Sequence, residues 1–282
     1  MTNSRLHLPA IILAILTLLL IAAGALLTSG IRPLPGTSSA PAAVTPMTGA
    51  EQIEQAHRIL AALVGIFAVG LAIVSSPEIR LPAWTAVGLV IVDALLGFQG
   101  EAGGMLSPVG GVFHALLAPV LFAVVTSLVL FTSRNWTDPA VPAQDIWPPL
   151  NKLAIIVPVF LILQIALGAA FRHNTMGVFW HILNAMVTLL LILMFGICVV
   201  RQYPEHPTLR PSAVQLLVIT GVQVLLGFAA FLVLLIVSQT NMALIVISVL
   251  HVLTGSLTLA ASVVLSLQFR RSGAAAASLT GH

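Results

Sequence analysis

Read for hydrophobicity alone, the chain is a series of long apolar runs interrupted by short polar breaks. A helix that crosses the hydrocarbon layer needs roughly 20 mostly apolar residues, and eight runs reach that length, at about 8–29, 51–75, 83–100, 108–132, 151–171, 176–200, 212–238 and 242–269. The pattern predicts an all-α polytopic membrane protein in which nearly the whole chain is spent on eight transmembrane helices. Several starts are marked in the breaks. Thr48-Gly49-Ala50-Glu51 reads as a capping box, Ser107-Pro108 as an N-cap followed by proline at the first helical position, and Asn174 or Thr175 and Asn241 as further caps.

The pattern also repeats. Val92-Asp93-Ala94-Leu95-Leu96-Gly97-Phe98 in the third run and Val222-Gln223-Val224-Leu225-Leu226-Gly227-Phe228 in the seventh agree at five of seven positions. The fifth run carries Gln164-Ile165-Ala166-Leu167-Gly168, again with a polar residue four places before a glycine and so on one helix face. Small residues on that face let helices approach closely. Four spans followed by four spans return the chain to the side where it began, so the halves share one orientation and predict two repeated four-helix bundles. The expected organisation is an N-terminal bundle over residues 1–135, a proline-rich linker over 136–150 containing Val141-Pro142 and Trp147-Pro148-Pro149, and a C-terminal bundle over 151–282.

Composition agrees with a chain that uses lipid as its solvent. Of 282 residues 59% are hydrophobic and 7% charged, and the mean hydropathy is +1.11, too little polar surface for a soluble globule. The net charge of +3 comes from basic residues scattered singly, with no patch or stripe of the kind that binds nucleic acid. With the N-terminus cytoplasmic, Arg5, Arg80, Arg134, Lys152, Arg201, Arg210, Arg270 and Arg271 lie inside and only Arg32, Arg58 and Arg172 outside, the bias of the positive-inside rule. Both termini are then expected in the cytoplasm. The first run has no A-x-A-like cleavage site and no Arg- and Ser-rich segment ahead of it, which predicts a retained span and a bacterial plasma membrane. Cys198 is the one cysteine and lies within a span, so no intrachain disulfide forms.

Chemistry concentrates in the histidines. His7, His206 and His282 fall in cytoplasmic segments and His173 in an outer loop, leaving His57, His114, His181 and His251, one in each even-numbered span and all near its outer end. Single intramembrane imidazoles are commonly interhelical hydrogen-bonding groups. Four at matched depth in matched repeat positions point instead to two facing pairs that ligate heme iron. Zinc would want further ligands, and no cysteine or carboxylate cluster accompanies each pair. Heme carries two propionates, and Arg58 and Arg172, beside the proposed pairs, have the planar guanidinium that recognises carboxylate. Capping accounts for Glu51 but leaves Glu54 without a structural task. Asp93, in mid-span, costs about 3 kcal/mol to insert as an ion and is expected to face the bundle interior.

These residues resemble the heme A synthase family of cytochrome oxidase assembly. Glu54-Gln55-Ala56-His57-Arg58 fits that family's E-x-x-H-R motif, Gln164 to His173 is similar to its fifth-span signature ending in R-H, and the four histidines fall where its two heme pairs fall. The resemblance implies heme b as prosthetic group on His181 and His251 with Arg172 nearby. It implies heme O as substrate facing His57, His114 and Arg58, and Glu54 as catalytic carboxylate. The reaction implied is oxidation of a ring methyl to formyl, with heme O synthase and oxidase assembly factors as partners. The chain departs from the family in lacking a cysteine pair in the first outer loop. Two rival readings remain at this point, a diheme b-type electron-transfer cytochrome and a proton-coupled transporter whose histidines and Asp93 relay protons.

Overall fold

The computed structural model describes residues 4–31, 47–102, 107–133, 136, 148–236 and 241–280. Their regular structure is all helical: α1 (Ser4–Ile31), α2 (Met47–Ile73), α3 (Pro77–Ala102), α4 (Pro108–Thr132), α5 (Leu150–Arg172), α6 (Val178–Gln202), α7 (Leu209–Ile236) and α8 (Met242–Thr280). All eight described helices are long and apolar enough to cross a membrane, as expected. Arg32, Arg134, His282 and most of the 136–150 linker lie outside the described residues.

The surface confirms the solvent. Leu81, Leu225 and Ile236 are 79%, 70% and 81% exposed, while Thr17 and Ser262 are fully buried. Apolar side chains face outward because lipid, not water, covers them. Buried hydroxyls bond back along their own helices, Thr17 to the Leu13 carbonyl and Thr220 to the Leu216 carbonyl, each at 2.7 Å, so these donors are satisfied in the apolar interior.

Helix α1 packs on α2, α2 on α3, α3 on α4, and α4 returns to α1; α5, α6, α7 and α8 pack in the same cyclic order. The first ring is filled by Leu13, Val64, Leu71, Val87 and Leu128, the second by Val157, Ile192, Phe195, Leu216 and Leu265. The rings meet where α1 and α4 lie against α8, around Ile21, Phe122 and Ala260, and where α4 lies against α5.

Two expected caps are present. Ser107 Oγ accepts from the Gly110 N–H at 3.0 Å, with Pro108 opening the helix. Asn241 Oδ1 accepts from Leu244 N–H at 2.9 Å. Others differ. Helix α2 is already running at Met47, which puts Thr48 inside the first turn; a proline at position 46 favours that earlier start. Helix α6 begins at Val178 with Gly177 ahead of it. Asn174 and Thr175 instead terminate α5: Asn174 has φ 57°, a left-handed conformation asparagine tolerates, and the Thr175 N–H and hydroxyl both donate to the Ala170 carbonyl at 2.9 Å. Helix α3 starts at Pro77, about a turn and a half before the apolar run, because proline suits the first position and Glu78 the positive end. Helix α8 runs on to Thr280 through the alanines at 274–277, which favour helix without any apolar face.

Candidate heme-binding site

The four intramembrane histidines occupy four equivalent places. Each lies in the first turns of an even-numbered helix and packs on a glycine late in the preceding one: His57 on Gly24, His114 on Gly97, His181 on Gly168 and His251 on Gly227. A Cβ built on those glycines would lie 3.1, 3.5, 2.9 and 2.9 Å from the imidazole Cε1. At Gly168 and Gly227 that is closer than carbon atoms approach, so only glycine admits the ring where it stands. The repeated polar-x-x-x-Gly motif was legible in sequence, but its purpose as a seat for imidazole was not. Gly24, the fourth seat, was missed because the residue four places before it is Leu20.

Across the hairpins the rings pair. His57 and His114 have ring centres 6.3 Å apart at an interplanar angle of 76°, and His181 and His251 are also 6.3 Å apart, at 81°. An imidazole nitrogen bound to a metal lies about 2 Å from it, so two rings sharing one metal from opposite sides have centres roughly 6 Å apart. Both pairs have the spacing of axial ligands to one iron. Among the described residues no group of three or more His, Cys, Asp or Glu could hold a metal.

The surroundings of the pairs differ. Gln164, four residues before Gly168, lies over His181 with Nε2 3.1 Å from Nδ1, and its Oε1 accepts from Asn184 Nδ2 at 2.7 Å. Asn184 is buried and also lies 3.2 Å from the Thr188 hydroxyl. Gln223, four before Gly227, sets its Nε2 3.4 Å from His251 Nε2 while its Oε1 accepts from the Thr254 hydroxyl. In both cases the residue three after the histidine holds the amide carbonyl and turns the amide nitrogen to the ring. The N-terminal pair has no such arrangement in its sequence: three residues after His57 and His114 stand Leu60 and Leu117. Its polar-x-x-x-Gly residue is Asp93, whose Oδ1 lies 2.8 Å and whose backbone oxygen lies 3.2 Å from His114 Nδ1. Asp93 is buried, as its position in mid-span required.

The remaining candidates lie at the same end. Glu54 and Arg58 form an i,i+4 ion pair at 2.6 Å with both side chains half exposed. Glu54 therefore has a partner that the capping argument did not foresee, although the spacing was visible. Arg172 Nη2 crosses to the end of α1, donating to the Ala25 carbonyl at 3.0 Å and the Thr28 hydroxyl at 2.9 Å, and to the Ser29 hydroxyl. Its Nε is buried and, among the described residues, has no acceptor. A carboxylate is the natural partner for that donor, and a heme propionate fits it. His173 lies in the expected loop, as the C-cap of α5, but its side chain turns inward. It is 8% exposed and its ring fills the space beside Gly111 on α4. The two residues that end α5 thus both reach into the first helical ring.

No curated protein matches the chain. A family model described as cytochrome oxidase assembly protein matches residues 47–180, a stretch that holds Glu54, His57, Arg58, His114 and Arg172 and stops one residue short of His181. The matched stretch runs from the start of α2 to the first turn of α6, a little under half of the chain, and over it the chain is similar to cytochrome oxidase assembly proteins.

Proposed function

We propose that the chain is a heme A synthase that oxidises a ring methyl of heme O to the formyl group of heme A. The carrying observation is the contrast between two histidine pairs of equal spacing, one backed by amides pinned in place, the other by a carboxylate, with Glu54 and Arg58 beside it. A permanently held cofactor benefits from the first arrangement, because outer hydrogen bonds fix ligand orientation. A substrate that must enter and leave suits the second. His181 and His251 would hold heme b, with Arg172 toward a propionate, in a C-terminal unit over residues 151–282. His57 and His114 would receive heme O in an N-terminal unit over 1–135. Bound heme b supplies one-electron redox chemistry.

The work of the chain's own residues follows from position. Glu54 lies one turn ahead of His57, so its carboxylate can reach the same side of α2 and accept protons as the methyl is oxidised. Arg58 holds Glu54 in the described structure; a substrate propionate competing for that guanidinium would free the carboxylate as substrate arrives. The charge bias supports a topology with the histidine end on the outer side of the membrane, taken here as a bacterial plasma membrane, and both termini in the cytoplasm. Heme O synthase, which makes the substrate, and oxidase assembly factors, which take the product, are the partners this reading requires.

Equal spacing also favours a second reading, a diheme cytochrome that carries electrons through two permanent hemes. Coexpression with a heme O synthase, followed by chromatography of the extracted hemes, separates them. Heme A beside heme B supports the synthase; heme B alone overturns it in favour of the cytochrome.

A further inference from the structure

We propose that Asp93 is the positioning residue of the N-terminal heme site, fixing the orientation of His114 and making that imidazole a stronger electron donor to iron than either histidine of the C-terminal pair. The inference rests on the reading that both pairs receive heme.

Asp93 Oδ1 stands 2.8 Å from His114 Nδ1 and the Asp93 backbone oxygen 3.2 Å from the same atom. The backbone oxygen accepts from Nδ1–H, so Nδ1 carries the proton, and the carboxylate Oδ1 stands close beside it as a negative charge outside hydrogen-bond geometry. The other nitrogen, Nε2, is left with its lone pair for iron. Gly97 leaves room for the ring, since a Cβ there would lie at an ordinary 3.5 Å from Cε1. The aspartate occupies the place that glutamine holds in the other two hairpins, at Gln164 and Gln223.

His181 Nδ1 likewise donates to a backbone oxygen, that of Gln164 at 3.2 Å, so the hairpins differ in the second group: where His114 has a carboxylate, Gln164 and Gln223 bring amide nitrogens, which are donors, to 3.1 and 3.4 Å from their imidazoles. A donor draws electron density from the ring. A carboxylate beside the protonated Nδ1 pushes density the other way and raises the basicity of the metal-binding nitrogen. A more basic axial ligand favours the ferric state, so the N-terminal site is held at a lower reduction potential than the C-terminal one. For a site whose occupant is oxidised, that ordering directs electrons out of the substrate half.

The test uses the full-length protein in detergent, titrated with hemin to fill both sites, followed by redox titration and low-temperature EPR. Wild type should show two low-spin centres with separate midpoints. Asp93→Asn, which keeps the shape and removes the charge, should raise the lower midpoint and shift its g values while the other centre stays put. Asp93→Leu should weaken hemin binding at that site by about tenfold or more. Asp93→Gln, which copies the other hairpins, should bring the two midpoints together. Unmoved potentials and g values in Asp93→Asn overturn the proposal, as does a shift confined to the other centre. Loss of both centres in Asp93→Asn and Asp93→Gln alike would show that Asp93 serves the fold, which also overturns it. A wild type that binds no hemin refutes the heme reading and this inference together. A wild type that binds two hemes and responds to Asp93→Asn, yet yields no heme A in cells, refutes only the synthase reading.

Discussion

The two histidine pairs are alike in spacing and unlike in support. In the C-terminal pair each imidazole is overlain by a glutamine whose own carbonyl is held from the histidine's helix, by Asn184 or Thr254. In the N-terminal pair the same places hold Leu60 and Leu117, and the polar residue is an aspartate or, in α1, Leu20. A common backbone arrangement thus carries one rigidly supported site and one lightly supported site. The shared backbone arrangement sets where the imidazoles stand; under the proposed reading, the residues one turn away decide what each site does with its heme.

The largest break in that comparison comes from the ligands. His181→Ala or His251→Ala should abolish stable heme b, because one axial nitrogen and its pinned amide partner are lost together, whereas His57→Ala should leave most of it. Absorbance of the purified variants at equal protein concentration checks this. Loss of all heme in His57→Ala with none lost in His251→Ala would reverse the assignment of the halves. Next in size is Glu54→Gln, which keeps volume and polarity but removes the base. Heme b content should be normal while heme A falls to little or nothing in extracts from cells making heme O. Because Glu54 also pairs with Arg58, Arg58→Gln is the control: it breaks the same ion pair, worth at most about 1 kcal/mol at a half-exposed position, and should retain measurable heme A. Equal loss in both variants would show that Glu54 does not act apart from Arg58.

A smaller effect tests the seats. Alanine is favoured over glycine within a helix by about 1 kcal/mol, so with space available the substitution should be neutral or better. At Gly97 the added carbon meets His114 at 3.5 Å and space is available. At Gly168 it would stand 2.9 Å from His181 and 3.1 Å from its Nδ1. Gly97→Ala should therefore keep wild-type thermal stability and heme content. Gly168→Ala should displace the ring by a few tenths of an ångström and cost roughly tenfold or more in heme b affinity. Hemin titration of the two variants side by side separates them; equal affinities would show that His181 can relax away from its seat.

Much of this was legible in sequence because it depends on one-dimensional patterns. Span length, the polar-x-x-x-Gly repeat and the positions of His57, His114, His181 and His251 follow from spacing along a single helix. Contacts between hairpins do not. Nothing near Gly24 distinguishes it as a seat, since Leu20 carries no polar signal. Asn184 and Thr254 sit three residues after a histidine, a visible relation whose meaning depends on glutamines 20 and 31 residues away. Asn174 looked like a helix start because asparagine caps both ends. Only its positive φ shows which end it serves here. The Arg172-His173 pair reads as a helix end followed by a loop, and the tertiary fold turns both residues inward.

That pair sharpens the comparison last, because it joins the halves it separates. Arg172 spends Nη2 on three acceptors near the end of α1, while Nε remains for a carboxylate. The two tasks predict different losses. Hydrogen bonds from a charged group contribute about 1.5–3 kcal/mol, so Arg172→Gln should lower the thermal stability of protein without bound heme by an amount in that range. Ser29→Ala, which removes one hydroxyl already bonded to the Ala25 carbonyl, should cost less than half as much. If Arg172 also meets a propionate, Arg172→Gln should weaken heme b binding beyond what Ser29→Ala does, with the axial spectrum unchanged because His181 and His251 remain. Thermal unfolding of each variant with and without hemin resolves the two contributions. An Arg172→Gln variant that loses heme affinity but no stability in the heme-free form would assign the residue to the cofactor alone, and the reverse result would make it a clasp between the bundles.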